Sequence, residues 1–237
     1  MAFLEFKTPI GNGVYITNLD TKERITSQRS LIMKDGKEFP INWDGTKTNI
    51  FFTSDTHFGH EAIIKFCSRP FKDAHEMDEV MINNWNNKVG PDDLIFHLGD
   101  FAFGGSELWN SILPKLNGHK VLIIGNHDRK NYRPGYSKYF EYVGMQLQLN
   151  ISGRSVYLNH YPFLCYGGSY RNEVNAVWQL YGHVHSGPNN TGKDSSRLNI
   201  LFPYQYDVGV DNNNFAPVSW NEVCDIIHEQ VNDNERT

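Results

Sequence analysis

From Thr48 onward the chain reads as an α/β domain. Three observations predict this. Short apolar runs rich in β-formers recur along the chain, most of them end at a polar tip, and amphipathic helical segments lie between them. Residues 1–47 read differently. Gly11-Asn12-Gly13 and Asp35-Gly36 separate short β-leaning pieces such as Val14-Tyr15-Ile16 and Ser30-Leu31-Ile32-Met33. This segment is expected to be a β-rich N-terminal extension of one or two hairpins on the edge of the main domain, which occupies 48–237. With seven basic and six acidic residues, it is not a basic arm.

Within the main domain, Asn49 to Ser54 is the first strand and runs into Asp55. A helix follows over Asp73 to Lys88, because Met77, Val80, Met81 and Trp85 fall on one face of a 3.6-residue period. Asp73 with Glu76 is a capping-box-like start, and Gly90-Pro91 stops the helix. Asp93 to Leu98 is a second strand ending at Gly99-Asp100, followed by a shorter helix near Glu107 to Leu116. Lys120 to Ile124 is the clearest strand and leads into Gly125-Asn126-His127-Asp128. Arg154 to Leu158 ends at Asn159-His160, Trp178 to Tyr181 at Gly182-His183-Val184-His185, and Tyr204 to Val210 is a further strand. Ser219 caps a last helix, with Glu222 at its third position and Val223, Ile226, Ile227 and Val231 on one face.

Composition narrows the class. Of 237 residues, 22 are basic and 27 acidic, a net charge of −5, which argues against a broad surface for nucleic-acid backbone or anionic lipid. No apolar run approaches the ~18 residues a spanning helix needs. Glu5 and Lys7 interrupt the apolar N-terminus, so no signal peptide is expected. Cys67, Cys165 and Cys224 lie far apart, which disfavours a disulfide framework and a thiolate zinc site. A soluble, cytoplasmic protein is expected.

Five strand candidates end in a metal-capable group: Asp55, Asp100, Asn126, His160 and His183. In an open α/β sheet such residues converge on the rim at the carboxyl ends of the strands. Adding His57 and His185 gives four histidines, two carboxylates and one amide. Seven side chains exceed one tetrahedral ion and suit two five- or six-coordinate ions, if Asp100 bridges. Nitrogen and oxygen donors without thiolate favour two divalent ions, Mn²⁺ first, with Fe, Zn²⁺ or Ni²⁺ as alternatives. Two such ions ~3.5–4 Å apart can share a hydroxide and clamp the attacking and leaving oxygens of an in-line displacement. Their charge makes a positive pit in an acidic protein, suited to a phosphate group.

The segments Ser54-Asp55-Thr56-His57-Phe58-Gly59-His60, Leu98-Gly99-Asp100, Gly125-Asn126-His127-Asp128, Asn159-His160-Tyr161-Pro162 and Gly182-His183-Val184-His185 closely resemble the five motifs of the calcineurin-like metallophosphoesterase family, in its order. The similarity extends from about Thr48 to His228, and Ile64 to Phe71 resembles a small prokaryotic or phage branch. The resemblance implies a four-layer α/β/β/α sandwich of two mixed sheets with a dimetal site at one rim. It implies that Asp55, His57, Asp100 and His185 bind one ion, and Asp100, Asn126, His160 and His183 the other. His127 is then the general acid, with Asp128 orienting its imidazole. Asn159 departs from the family pattern, which commonly has a smaller residue before the motif histidine.

The expected activity is hydrolysis of a small phosphorylated or nucleotide-like ester, by a mono- or diesterase. The alternatives are a nuclease using the same site and a scaffold that keeps the fold without catalysis. Absence of a Lys/Arg stripe disfavours the first, and the complete ligand set with His127 disfavours the second. Arg69, and after it Arg129, is expected to grip a phosphate oxygen of the substrate, because a guanidinium offers a bidentate fork. The polar loop Ser186 to Arg197 is expected to be mobile and to limit access. His97 is expected to pack and Asp211 to be a turn carboxylate, while for His60 a supporting role and a purely structural one are evenly balanced.

Overall fold

The computed structural model describes residues 49–151, 153–171, 176–188 and 198–234, together with the backbone of five short strands in the first 48 residues. Leu4–Lys7, Tyr15–Asn18 and Arg24–Ile25 pair antiparallel, as do Ser30–Ile32 and Glu38–Pro40. How this segment meets the main domain lies outside the described residues.

The main domain is built on two mixed sheets. In the first, Ile50–Thr53, Leu94–His97, His119–Ile123 and Tyr142–Gly144 run parallel, and the short strand Val218–Ser219 pairs antiparallel with the first of them. In the second, Arg154–Asn159, Trp178–Tyr181 and Gln205–Asp207 run parallel, with Gln146–Ile151 antiparallel on the edge.

The central strands of the first sheet are apolar on both faces because both faces are covered. Ile50, Phe52, Leu94, Phe96, Val121 and Ile123 point between the sheets and meet Leu147, Leu149, Val156, Leu158 and Leu180 of the second. Phe51, Ile95 and Leu122 point the other way, towards the helices Glu61–Phe66, Ala74–Lys88 and Gly105–Ile112. Phe52 and Phe96 stack at 5.4 Å with no exposed surface, so truncating either to alanine should cost about 3–5 kcal/mol. The last helix, Trp220–Asn234, sets Val223, Ile227 and Val231 into the inter-sheet core.

The helix starts follow their side chains. Asp73 accepts the Glu76 N–H at 2.8 Å, while Glu76 reaches one residue further back, to the Lys72 N–H. At the last helix the box is reciprocal: Glu222 accepts the Ser219 N–H and Ser219 Oγ accepts the Glu222 N–H. Val80 is only half-buried, and Asp78 takes a place on the buried face because it accepts the Gly59 N–H at 2.9 Å. The expected strand Tyr204 to Val210 is shorter, Gln205–Asp207, because the chain turns into a 3₁₀ turn at Val210–Asn212.

Candidate metal centre

The ligand candidates leave the strand ends on tight backbone turns. Asp55, His57, Asp100, His183 and His185 all have positive φ, from 48° to 72°, a region non-glycine residues seldom occupy. Strain of this kind persists only where surrounding contacts over-determine it. They do so here. Asp55 N–H donates to Gly99 O, His57 N–H to Asp100 O, and His183 N–H to Asp55 Oδ2 at 2.8 Å. Glycine is required where loops press together: a Cβ on Gly125 would lie 2.2 Å from Asp100 Oδ1, and one on Gly182 would lie 2.3 Å from Asp55 Oδ2.

All seven expected ligands cluster around two foci that share Asp100. At the first, Asp55 Oδ1 lies 4.0 Å from His57 Nε2 and 3.7 Å from His185 Nε2, and Asp100 Oδ2 lies 3.6 Å from His57 Nε2. At the second, His160 Nε2 lies 3.5 Å from Asp100 Oδ2 and 3.0 Å from Asn126 Oδ1, and His183 completes the group.

This donor set fits cations. His160 Nδ1 is 2.8 Å from Leu98 O and so carries the proton, which leaves Nε2 as a lone pair facing two other acceptors, Asn126 Oδ1 and Asp100 Oδ2. His185 Nδ1, 2.7 Å from Asp211 Oδ2, likewise turns Nε2 towards Asp55. Asp55 Oδ1 and His57 Nε2 are buried and have no hydrogen-bond partner among the described residues. Acceptors that face one another at 3.0–4.0 Å call for positive charge between them. The titration directions agree. Burial, then the charges of Asp55 and Asp128, push Asp100 up to about 8. Burial lowers His57 well below the usual range. Burial would also lower His185, but Asp55, Asp211 and Cys67 outweigh it and raise it to about 11, so without a cation a proton takes the place on Nε2 that faces Asp55.

His127 stands at the mouth, its side chain 38% exposed and its Nε2 3.9 Å from Asp100 Oδ2. Its backbone N–H donates to Asp100 Oδ1 at 2.8 Å, which ties it to the shared carboxylate.

Two sequence expectations are corrected. Asp128 does not reach the His127 imidazole. Its buried carboxylate accepts the N–H groups of Asp100, Phe101 and Gly125 at 2.7–2.9 Å, clamping the loops that carry Asp100 and Asn126 together. Arg69 is not a substrate grip. Its buried guanidinium donates to both Asp211 oxygens, to the carbonyls of Asp55 and Thr56, and to Met77 Sδ, so all five donors are engaged beneath the site. Arg129 is exposed on the short helix Asp128–Asn131. Of the loop after His185, residues 189–197 lie outside the described residues.

Three residues given lesser roles sit against the ligands. Asp211 orients His185 and is itself held by Arg69. His97, buried and lowered to about 3 by desolvation, accepts the Gly99 N–H and faces Thr56 Oγ1, which donates on to Phe101 O. His60 Nδ1 lies 3.4 Å from His57 Nδ1. Sequence reasoning passed over Cys67, which lies beside His185 and Asp211; a lone cysteine between Phe66 and Ser68 gives no signal of that.

Residues 48–211 match the family model described as calcineurin-like phosphoesterase. An uncharacterized protein of Methanocaldococcus jannaschii is 36% identical over 139 residues, covering 58% of this chain and 69% of its own length. The gene 66 protein of Mycobacterium phage D29 is 28% identical over 216 residues, covering 79% of this chain and 98% of its own. Among solved structures, a protein of unknown function from Aquifex aeolicus superposes with a TM-score of 0.57 and 26% identity, over 76% of this chain and all of its own.

Proposed function

The chain belongs to the calcineurin-like phosphoesterase family, and from that premise we propose a dimetal hydrolase of small phosphorylated or nucleotide-like esters. The family implies metal-dependent phosphoester hydrolysis. The observation that carries the finer reading is the shared carboxylate: Asp100 Oδ2 lies within 3.5–3.9 Å of nitrogens from His57, His160 and His127. In this reading Asp55, His57, Asp100 and His185 hold one divalent ion, and Asp100, Asn126, His160 and His183 the second. Mn²⁺ is the preferred metal, because imidazole-rich oxygen sites suit transition ions.

Two ions held there would polarise the phosphoryl group and activate water for attack. The residues of this chain do the rest. His127, exposed at the mouth, delivers a proton to the leaving oxygen. Asp100 fixes the His127 backbone, and Asp128 fixes Asp100. The match beginning at residue 48 supports dividing the chain into an extension, 1–47, and the catalytic domain. No helix among the described residues is long and apolar enough to cross a membrane, and we place the enzyme in the cytoplasm.

The deciding experiment assays a chromogenic phosphomonoester, its diester and a DNA duplex in parallel, after chelation and after adding back Mn²⁺ or Mg²⁺. Mn²⁺-dependent turnover of a small ester is expected. Full turnover by metal-stripped protein would sink the reading, and a strong preference for DNA would move it to a nuclease.

A further inference from the structure

The mouth of the site carries a feature that phosphate chemistry does not require. Phe103 is 44% exposed, three residues beyond Asp100. One face of its ring lies on the His60 imidazole, 4.3 Å between centroids and 23° from parallel. It stands 5.7 Å from the His127 ring at 72°. Single exposed apolar side chains are common and usually mean nothing. This one is held in place from several sides. Its N–H donates to Phe58 O at 2.8 Å, and the adjacent Ala102, fully buried, pairs with buried Phe58. Gly104 follows so closely on Leu108 that an added Cβ would lie 2.6 Å from the leucine. His60 is fixed in turn against His57. The loop therefore holds Phe103 at the surface beside the proposed proton donor, and among the described residues His60 is the one ring stacked on it.

We propose that Phe103, backed by His60, is the leaving-group subsite and selects esters whose leaving group carries a planar aromatic ring, a nucleobase above all. This rests on the phosphoesterase reading and deepens it. With phosphorus at the metal centre and His127 protonating the leaving oxygen, the body of the leaving group must lie on the His127 side, where Phe103 offers a part-exposed ring. Stacking on an aromatic side chain tolerates any base and gains about five-fold or more in affinity per base.

The test is calorimetric titration of the Mn²⁺-loaded protein with adenosine 5′-monophosphate and with ribose 5-phosphate, which present the same phosphate with and without the ring. Wild type should bind the nucleotide at least about five-fold more tightly. Phe103→Ala and Phe103→Leu should bring the two within about two-fold, leaving the ribose 5-phosphate affinity, metal content and melting temperature unchanged. Phe103→Trp should keep or widen the gap. Equal binding of the two ligands by wild type would overturn the proposal, as would a Phe103→Ala variant that weakens both alike. Should neither ligand bind and no ester turn over, the phosphoesterase reading itself falls, and the subsite with it.

Discussion

Arg69 and Asp211 meet in a two-pronged ion pair, with Nε and Nη2 each 2.8 Å from a carboxylate oxygen, across 142 residues of sequence. The same Asp211 oxygen that takes Nη2 also takes His185 Nδ1 at 2.7 Å. A carboxylate that orients a ligating histidine fixes its tautomer and sharpens its donor atom. Arg69 adds a brace under the loop, donating to the Asp55 and Thr56 carbonyls.

Arg69→Ala is therefore expected to act on the metal centre and the fold, with KM for small esters unchanged in whatever enzyme still loads metal. Leaving Asp211 buried beside His185 without its partner should cost roughly 3–5 kcal/mol of stability. Mn²⁺ affinity should fall about 10–100-fold. Thermal melts and metal titration check this. A raised KM with melting and metal affinity intact would instead return Arg69 to the substrate.

Asp100→Asn should be more damaging than replacing any single histidine ligand. Its Oδ2 faces histidines of both foci and its Oδ1 holds the His127 backbone, so one change would loosen both proposed ions and the proposed acid together. Elemental analysis after dialysis should find both ions diminished. One ion fully retained would show that Asp100 belongs to one focus alone.

His127→Ala should leave both metals in place and lower turnover by ~10²–10⁴, less for esters with good leaving groups, which need little protonation. Asp128→Ala should behave differently. Three backbone N–H groups lose their acceptor, each costing about 1–3 kcal/mol when buried, so the melt should fall steeply with no leaving-group dependence. A leaving-group trend in Asp128→Ala like that of His127→Ala would restore the orienting role expected from the motif.

His97 makes stability depend on pH. Folded, it resists protonation down to about 3, whereas unfolded it titrates near its ordinary value of 6.5. Between these values the unfolded chain binds the extra proton, so stability is complete above pH ~6.5 and is lost as pH falls. Between pH 7 and 5 the loss attributable to His97 is about 2 kcal/mol. Urea unfolding of wild type and His97→Gln, both in chelator, should show their stability difference shifting by that amount in favour of the variant at pH 5. Parallel pH curves would refute it.

The candidate ligands were legible because they follow a local grammar: each lies within four residues of the end of a strand whose apolar run is evident, such as Ile50–Thr53 before Asp55 and His57 and Trp178–Tyr181 before His183 and His185. The helix Ala74–Lys88 was legible by its period and cap. Glu61–Phe66 was not, since six residues carry too little period. Gln146–Ile151 could have been found, as Leu147, Leu149 and Ile151 alternate into the core with polar residues between. Arg69 and Asp128 were misread for different reasons. The partner of Arg69 lies across the whole domain. The carboxylate of Asp128 spends itself on backbone groups, which look alike at every position of a sequence.

The left-handed turns at Asp55, His57, Asp100, His183 and His185 also bound what laboratory evolution can do with this scaffold. If these five codons were randomised and selected for a new metal preference, survivors should come from glycine, asparagine, aspartate and histidine, the residues that tolerate this backbone. Valine, isoleucine and threonine should be missing whatever metal is supplied. The range of chemistries open to the site is thus narrowed by the peptide chain before any ion is chosen.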